Sequence, residues 1–184
     1  MLLTFAPERH MITGGLSSYA YANIESSASY LPMIEALKDS LDLVHTQLYG
    51  YGSDNGRDAS GNRGSEYCVG TEGNALAVTE DLLLGYTLEN GQGTFSGLPA
   101  NKIALGLAAP CVGASAGFLT IAKIQSVVNY FRGTGSQPPA STPTNCSWMT
   151  SGQAAYAKLS SGNVNFRGLM TWSINYDEIG RAHV

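Results

Sequence analysis

The chain has 184 residues, enough for one domain with a sizeable core. Charged residues are 13% of it, the formal net charge is -4, and the ten Lys and Arg are scattered, the densest group being the arginine pair in "GRDASGNRG". No basic stripe is present to follow a phosphate backbone, which argues against nucleic acid, and the abundant Gly, Ser, Thr, Asn and Tyr suit a sugar-handling protein.

In chain order, "LLTFAP" (2–7) reads as a short apolar strand. A long loop follows, then a helix over "YLPMIEALKDSL" (30–41), in which Leu31, Ile34, Leu37 and Leu41 fall on one face. "LDLVHTQLY" (41–49) is a second strand, leading through a Gly/Asn/Ser loop to a helix over about 74–88. "KIALGLAA" (102–109) is a third, followed by "PCVGASAG" and a helix near 118–132. A Pro/Ser/Thr loop and a short helix near 151–160 precede the last strand, in "FRGLMTWSINY" (166–176). The uncharged run from Ile103 to Ala122 is long enough to cross a bilayer. Pro110 and the glycines at 106, 113 and 117 divide it into strand, loop and helix start, so no membrane span is expected. "MLLTFAPE" lacks the basic start and long apolar stretch of a signal peptide.

Apolar strands alternating with amphipathic helices predict a parallel sheet covered by helices. The long loops follow strands and the helix-to-strand connections are mostly short. That is the grammar of a (β/α)8 barrel, which builds its function at the strand C-terminal ends. A doubly wound open sheet is the structural alternative. A whole barrel needs eight strands and this chain shows four, so it is either a small open sheet or half a barrel.

Alternate strand residues share a face. His45, Gln47 and Tyr49 therefore point one way, toward a barrel interior, and Val44, Thr46 and Leu48 the other. Gly168, Met170 and Trp172 likewise share a face. Polar groups on such a face serve equally as a hydrogen-bonded core layer, and an indole at a strand mouth is as often core as a platform for a sugar ring. "APCVGASAGF" could cradle a phosphate but lacks the Gly-Lys pair of a P-loop, and "DNGRDASGN" misses the calcium-loop pattern. His10, His45 and His183 form no catalytic triad. Cys68, Cys111 and Cys146 lack metal-ligand spacing; a disulfide between two of them and three small loop residues are equal readings. No metal or cofactor is expected.

"LLTFAPE", "VHTQLYG", "LPANKIALGLAAP" with its "GASAG" tail, and "FRGLMTWSINYD" resemble, in order and spacing, strands five to eight of family 18 glycoside hydrolases, the chitinase and endo-N-acetylglucosaminidase family. The match runs from residue 2 to about 177, and "MTWSINYD" and "LPANKIALGL" are its specific motifs. The resemblance implies the C-terminal half (strands 5–8) of a (β/α)8 barrel, with parallel strands and helices on one side. It also implies a secreted enzyme acting on chitin or N-acetylglucosamine oligosaccharides by a retaining, substrate-assisted mechanism. Tyr49 would then hold the acetamido carbonyl for attack, Gln47 would fix the acetamido group or the neighbouring acid, and Trp172 would floor the sugar's subsite. Ala6 and Glu8 lie in the fifth-strand motif. Gly50 stands where relatives usually have Asn, and Phe5 where close relatives often have Met.

No stretch of the chain reads Asp-x-x-Asp-x-Asp-x-Glu, the fourth-strand motif whose glutamate is the general acid of the family. The expected organisation is thus a partial catalytic domain over 1–178 and a non-native tail over 179–184, "IGRAHV". The alternative is a non-catalytic, lectin-like glycan binder of the same fold. An isolated half-barrel would also expose unpaired strand edges and self-associate.

Overall fold

The structure is a computed structural model that describes residues 2–16, 27–50, 52–57, 63–108, 117–136 and 167–172. The expected helix near 151–160, the "PCVGASA" loop and the tail from Ile179 lie outside these residues.

Four strands form one parallel sheet in sequential order: β1 (Thr4–Phe5), β2 (Leu43–Gln47), and, after the elements below, β7 (Ile103–Ala108) and β8 (Gly168–Trp172). The connecting helices are α1 (His10–Thr13), α2 (Leu31–Leu37), α3 (Glu72–Leu84) and α4 (Ile121–Phe131). Sequential parallel order with helices between is the arrangement of consecutive barrel staves, and a partial barrel is consistent with it.

The two faces of the sheet differ as the alternation predicts. Val44, Thr46 and Leu48 are 0–1% exposed, whereas Leu43, His45, Gln47 and Tyr49 are half-buried. Val44 and Ile103 pack with Ile12, Ile34 and Leu82. Leu48, Leu105 and Leu107 pack with Leu76, Val127 and Phe131. The described helices therefore cover one face, and burying each such Leu or Phe contributes about 1.5–3 kcal/mol. Sequence periodicity sufficed here because an apolar stripe has one place to go.

Local chemistry sets the helix limits. Thr71 caps α3 by accepting from the Asn74 amide at 3.2 Å while its hydroxyl donates to the Cys68 carbonyl at 2.6 Å. Thr120 caps α4 by accepting from the Lys123 amide. The helix expected over 74–88 stops at Leu84, because Gly85 has φ +63° and a side chain there would collide with the Phe95 carbonyl. Tyr86–Thr87 instead forms β5, paired antiparallel with β6 (Thr94–Phe95).

A larger correction concerns the stretch after β2. It reads as an irregular loop, but residues Ser53–Arg57 (β3) and Arg63–Cys68 (β4) make an antiparallel hairpin. Hydrophilic residues with glycine give no alternating apolar pattern, so nothing in the sequence marks these strands. The hairpin docks on α3: a Cβ at Gly56 would lie 2.7 Å from that of Ala77. Cys68 is disulfide-bonded, and both other cysteines, Cys111 and Cys146, lie outside the described residues. The run from Ile103 to Ala122 begins as β7 and ends in α4, and no helix among the described residues is long and apolar enough to cross a membrane.

Candidate functional site

Parallel register aligns the candidate residues in rows across the strand C-terminal ends. Glu8 bridges to Gln47, Gln47 pairs with Gly106, and Gly106 pairs with Met170. One pleat further on, Ala108 pairs with Trp172, and Tyr49 follows Gln47 by two residues. Positions 49 and 172 thus flank Ala108, about 10 Å apart at the backbone for two strand spacings. Trp172 is placed by its backbone register alone; its side chain lies outside the described residues. Gly106, between Gln47 and Met170, is required by packing, since a Cβ there would meet the Met170 Cε at 2.9 Å and the Thr46 carbonyl at 2.7 Å.

Gln47 is anchored rather than loose: its Nε2 donates to the Ala6 carbonyl at 2.7 Å. Ala6, Glu8 and Gln47 are thereby one local unit joining the ends of β1 and β2. Glu8 is largely exposed, and its carboxylate lies 3.6 Å from His10 Nδ1.

Tyr49 sits just beyond β2, half-buried, and its phenol is pushed above the ordinary value by burial and, secondarily, by the Glu8 carboxylate. It therefore keeps its proton at neutral pH and can donate it in a hydrogen bond. Two contacts fix its backbone. The Arg9 guanidinium donates through Nη1 to the Tyr49 carbonyl. Gly117, at φ +110°, packs so closely that a Cβ there would be 2.6 Å from the Tyr49 Cα.

Arg9 also donates through Nε to Asp54 Oδ2 at 2.7 Å. Asp54 is 4% exposed and accepts from Asn74 Nδ2 at 2.8 Å and from the Thr13 hydroxyl at 3.2 Å. The sequence does not reveal Arg9, Asp54 or Asn74 as a group: the pairs are 45 and 20 residues apart, and Asp54 lies in a stretch resembling a solvated loop.

His45, one pleat below Gln47, has a buried Nδ1 that finds no hydrogen-bond partner among the described residues. Burial pushes its imidazole below the ordinary value. The folded state therefore takes up its proton less readily than the unfolded chain. Stability from this residue should be complete above the unfolded value of about 6.5 and should fall as pH drops below it. Urea midpoints at successive pH values check this: the decline through that window should shrink in His45→Gln, and an unchanged decline would exclude His45 as its source.

Among the described residues no three His, Cys, Asp or Glu side chains gather as a metal site. A separate cleft, lined by Leu31, Pro32, Glu35, Gln92, Thr94 and Phe95, lies between α2 and the β5–β6 hairpin and includes none of the candidate residues.

The ordered parallel sheet, helices on one face and the rows at the strand C-terminal ends define an α/β protein of the barrel type. Known proteins narrow this. The chain is 35% identical over 177 residues to chitinase ChiA of Flavobacterium johnsoniae, a match covering 96% of this chain and 10% of that protein. It is 33% identical to chitinase Chi52 of Paenibacillus xylanexedens, covering 96% and 29% respectively. The structure of a family GH18 chitinase from Chromobacterium violaceum superposes with a TM-score of 0.70 at 25% identity, covering 96% of this chain and 41% of that one. No family model matches the chain. In sequence and fold the chain is similar to chitinases of glycoside hydrolase family 18, and it spans less than a third of either curated relative.

Proposed function

We propose that residues 1–178 form the C-terminal half of a chitinase barrel that hydrolyses β-1,4-linked N-acetylglucosamine polymers with retention of configuration. The observation that carries this reading is the alignment of Glu8, Gln47, Tyr49 and Trp172 in adjacent rows at the ends of parallel strands. In the proposed mechanism the Tyr49 hydroxyl donates to the substrate's acetamido carbonyl. That oxygen attacks the anomeric carbon as the glycosidic C–O bond breaks, and a glutamic acid supplied from outside this sequence protonates the leaving oxygen. The same glutamate, now a carboxylate, takes a proton from water, which attacks the anomeric carbon from the face the leaving oxygen vacated, opening the oxazolinium ion and restoring the acetamido group. Gln47, tethered to Ala6, borders the acetamido pocket, and Trp172 floors the sugar. The Cys68 disulfide supports action in an oxidising, extracytoplasmic setting.

The test is Tyr49→Phe in the full-length protein. Loss of one preorganised donor to the reacting carbonyl should lower kcat on N-acetylglucosamine oligomers by about 10²–10³-fold. A rate within threefold of the unaltered protein would refute the role of Tyr49.

A further inference from the structure

We infer that Arg9 is a positioning residue for Tyr49, tying the sugar-binding tyrosine to the β3–β4 hairpin. This rests on the proposed role of Tyr49 but adds a residue and a coupling that the reading does not contain. One guanidinium holds two partners at once: Nη1 donates to the Tyr49 carbonyl and Nε to Asp54 Oδ2. The Arg9 side chain is 12% exposed and that of Asp54 is 2% exposed, so this is an interior clamp rather than a surface pair. Asp54 is itself fixed by Asn74 from α3 and by Thr13 from α1. Two helices and the hairpin thus converge on the group that holds Tyr49.

Gly50 completes the fit. It has φ +104°, and a Cβ there would lie 3.3 Å from Arg9 Nη1. Residue 50 thus contributes no side chain of its own beside the tyrosine, and the space next to it is taken by the arginine. The rigid fork of a guanidinium spans carbonyl and carboxylate together; an ammonium is a single point of charge and cannot reproduce both bonds with that spacing.

The experiment is a double-mutant cycle in the full-length protein, read as kcat and KM on N-acetylglucosamine oligomers. Displacing Tyr49 by a fraction of an ångström to about 1 Å should lower kcat by about 10–100-fold, with little change in KM. Both Arg9→Ala and Arg9→Lys should do so. In the Tyr49→Phe background, where the hydroxyl is already gone, Arg9→Ala should cost less than about threefold, because coupled residues are non-additive. The same factor in both backgrounds, or full activity in Arg9→Lys, would overturn the inference; if Arg9→Ala does not fold, Arg9→Lys carries the cycle. A second readout separates this inference from the catalytic reading. With 3-fluorotyrosine incorporated, the Tyr49 resonance is assigned by its loss in Tyr49→Phe, and it should move in Arg9→Lys. If it moves while Tyr49→Phe retains full activity, positioning stands and the proposed function falls. If it does not move, positioning falls.

Discussion

The 184-residue chain on its own should release no N-acetylglucosamine oligomers from chitin above background. The general acid is one reason: no Asp-x-x-Asp-x-Asp-x-Glu stretch occurs in it, and loss of acid catalysis alone costs about 10²–10⁴-fold. Geometry adds to this. Among the described residues β1 and β8 are the outer strands of the four-stranded sheet, and Leu169 on β8 is 51% exposed. Such edges, and the face of His45 and Gln47 that the described helices do not cover, are what the remaining staves of a barrel would complete, and without them the chain should dimerise or aggregate. Co-expression with a segment carrying strands one to four and their glutamate should restore both a single compact species and hydrolysis. Sedimentation and reducing-sugar release measure the two together. A monomeric chain that cleaves chitin unaided would overturn the half-barrel proposal.

Asp54→Ala should destabilise the protein by about 3–5 kcal/mol, the usual cost of stranding a buried charge. The carboxylate accepts from Arg9, Asn74 and Thr13, and its removal leaves a guanidinium that is only 12% exposed without its counter-ion. Asp54→Asn should cost less. Its amide oxygen can still accept from Arg9 and Asn74 and its NH₂ can donate to the Thr13 hydroxyl, so the bonds can persist while the negative charge opposite Arg9 is lost. Urea unfolding of the full-length protein should show a lowered midpoint with little change in slope. A loss below 1 kcal/mol in Asp54→Ala would mean that the network relaxes without its centre, and would weaken the case for Arg9 as a clamp.

These two expectations draw on different kinds of information. The four strands, their parallel order and the buried face of Val44, Thr46 and Leu48 were legible because period-two and helical patterns are local. So were Tyr49, Gln47, Trp172, Ala6 and Glu8 as candidates, through motifs whose spacing resembles a known family; their catalytic roles remain proposals that the alignment in rows supports. The β3–β4 hairpin was not legible, since "SDNGR" and "RGSEYC" carry turn-formers and charges where a strand signal would need alternating apolar residues.

The sequence by itself determined which residues seek the core and which strand faces stay polar, because burial follows from the period of the apolar pattern. Tertiary structure decided which polar groups meet. Arg9 reaches Asp54 across 45 residues and the Tyr49 carbonyl across 40, and Gly117, which follows the neighbouring strand β7, closes on the Tyr49 Cα. A hydrogen bond acts over about 3 Å in space and leaves no periodic trace along the chain. Only the folded chain brings such partners into reach.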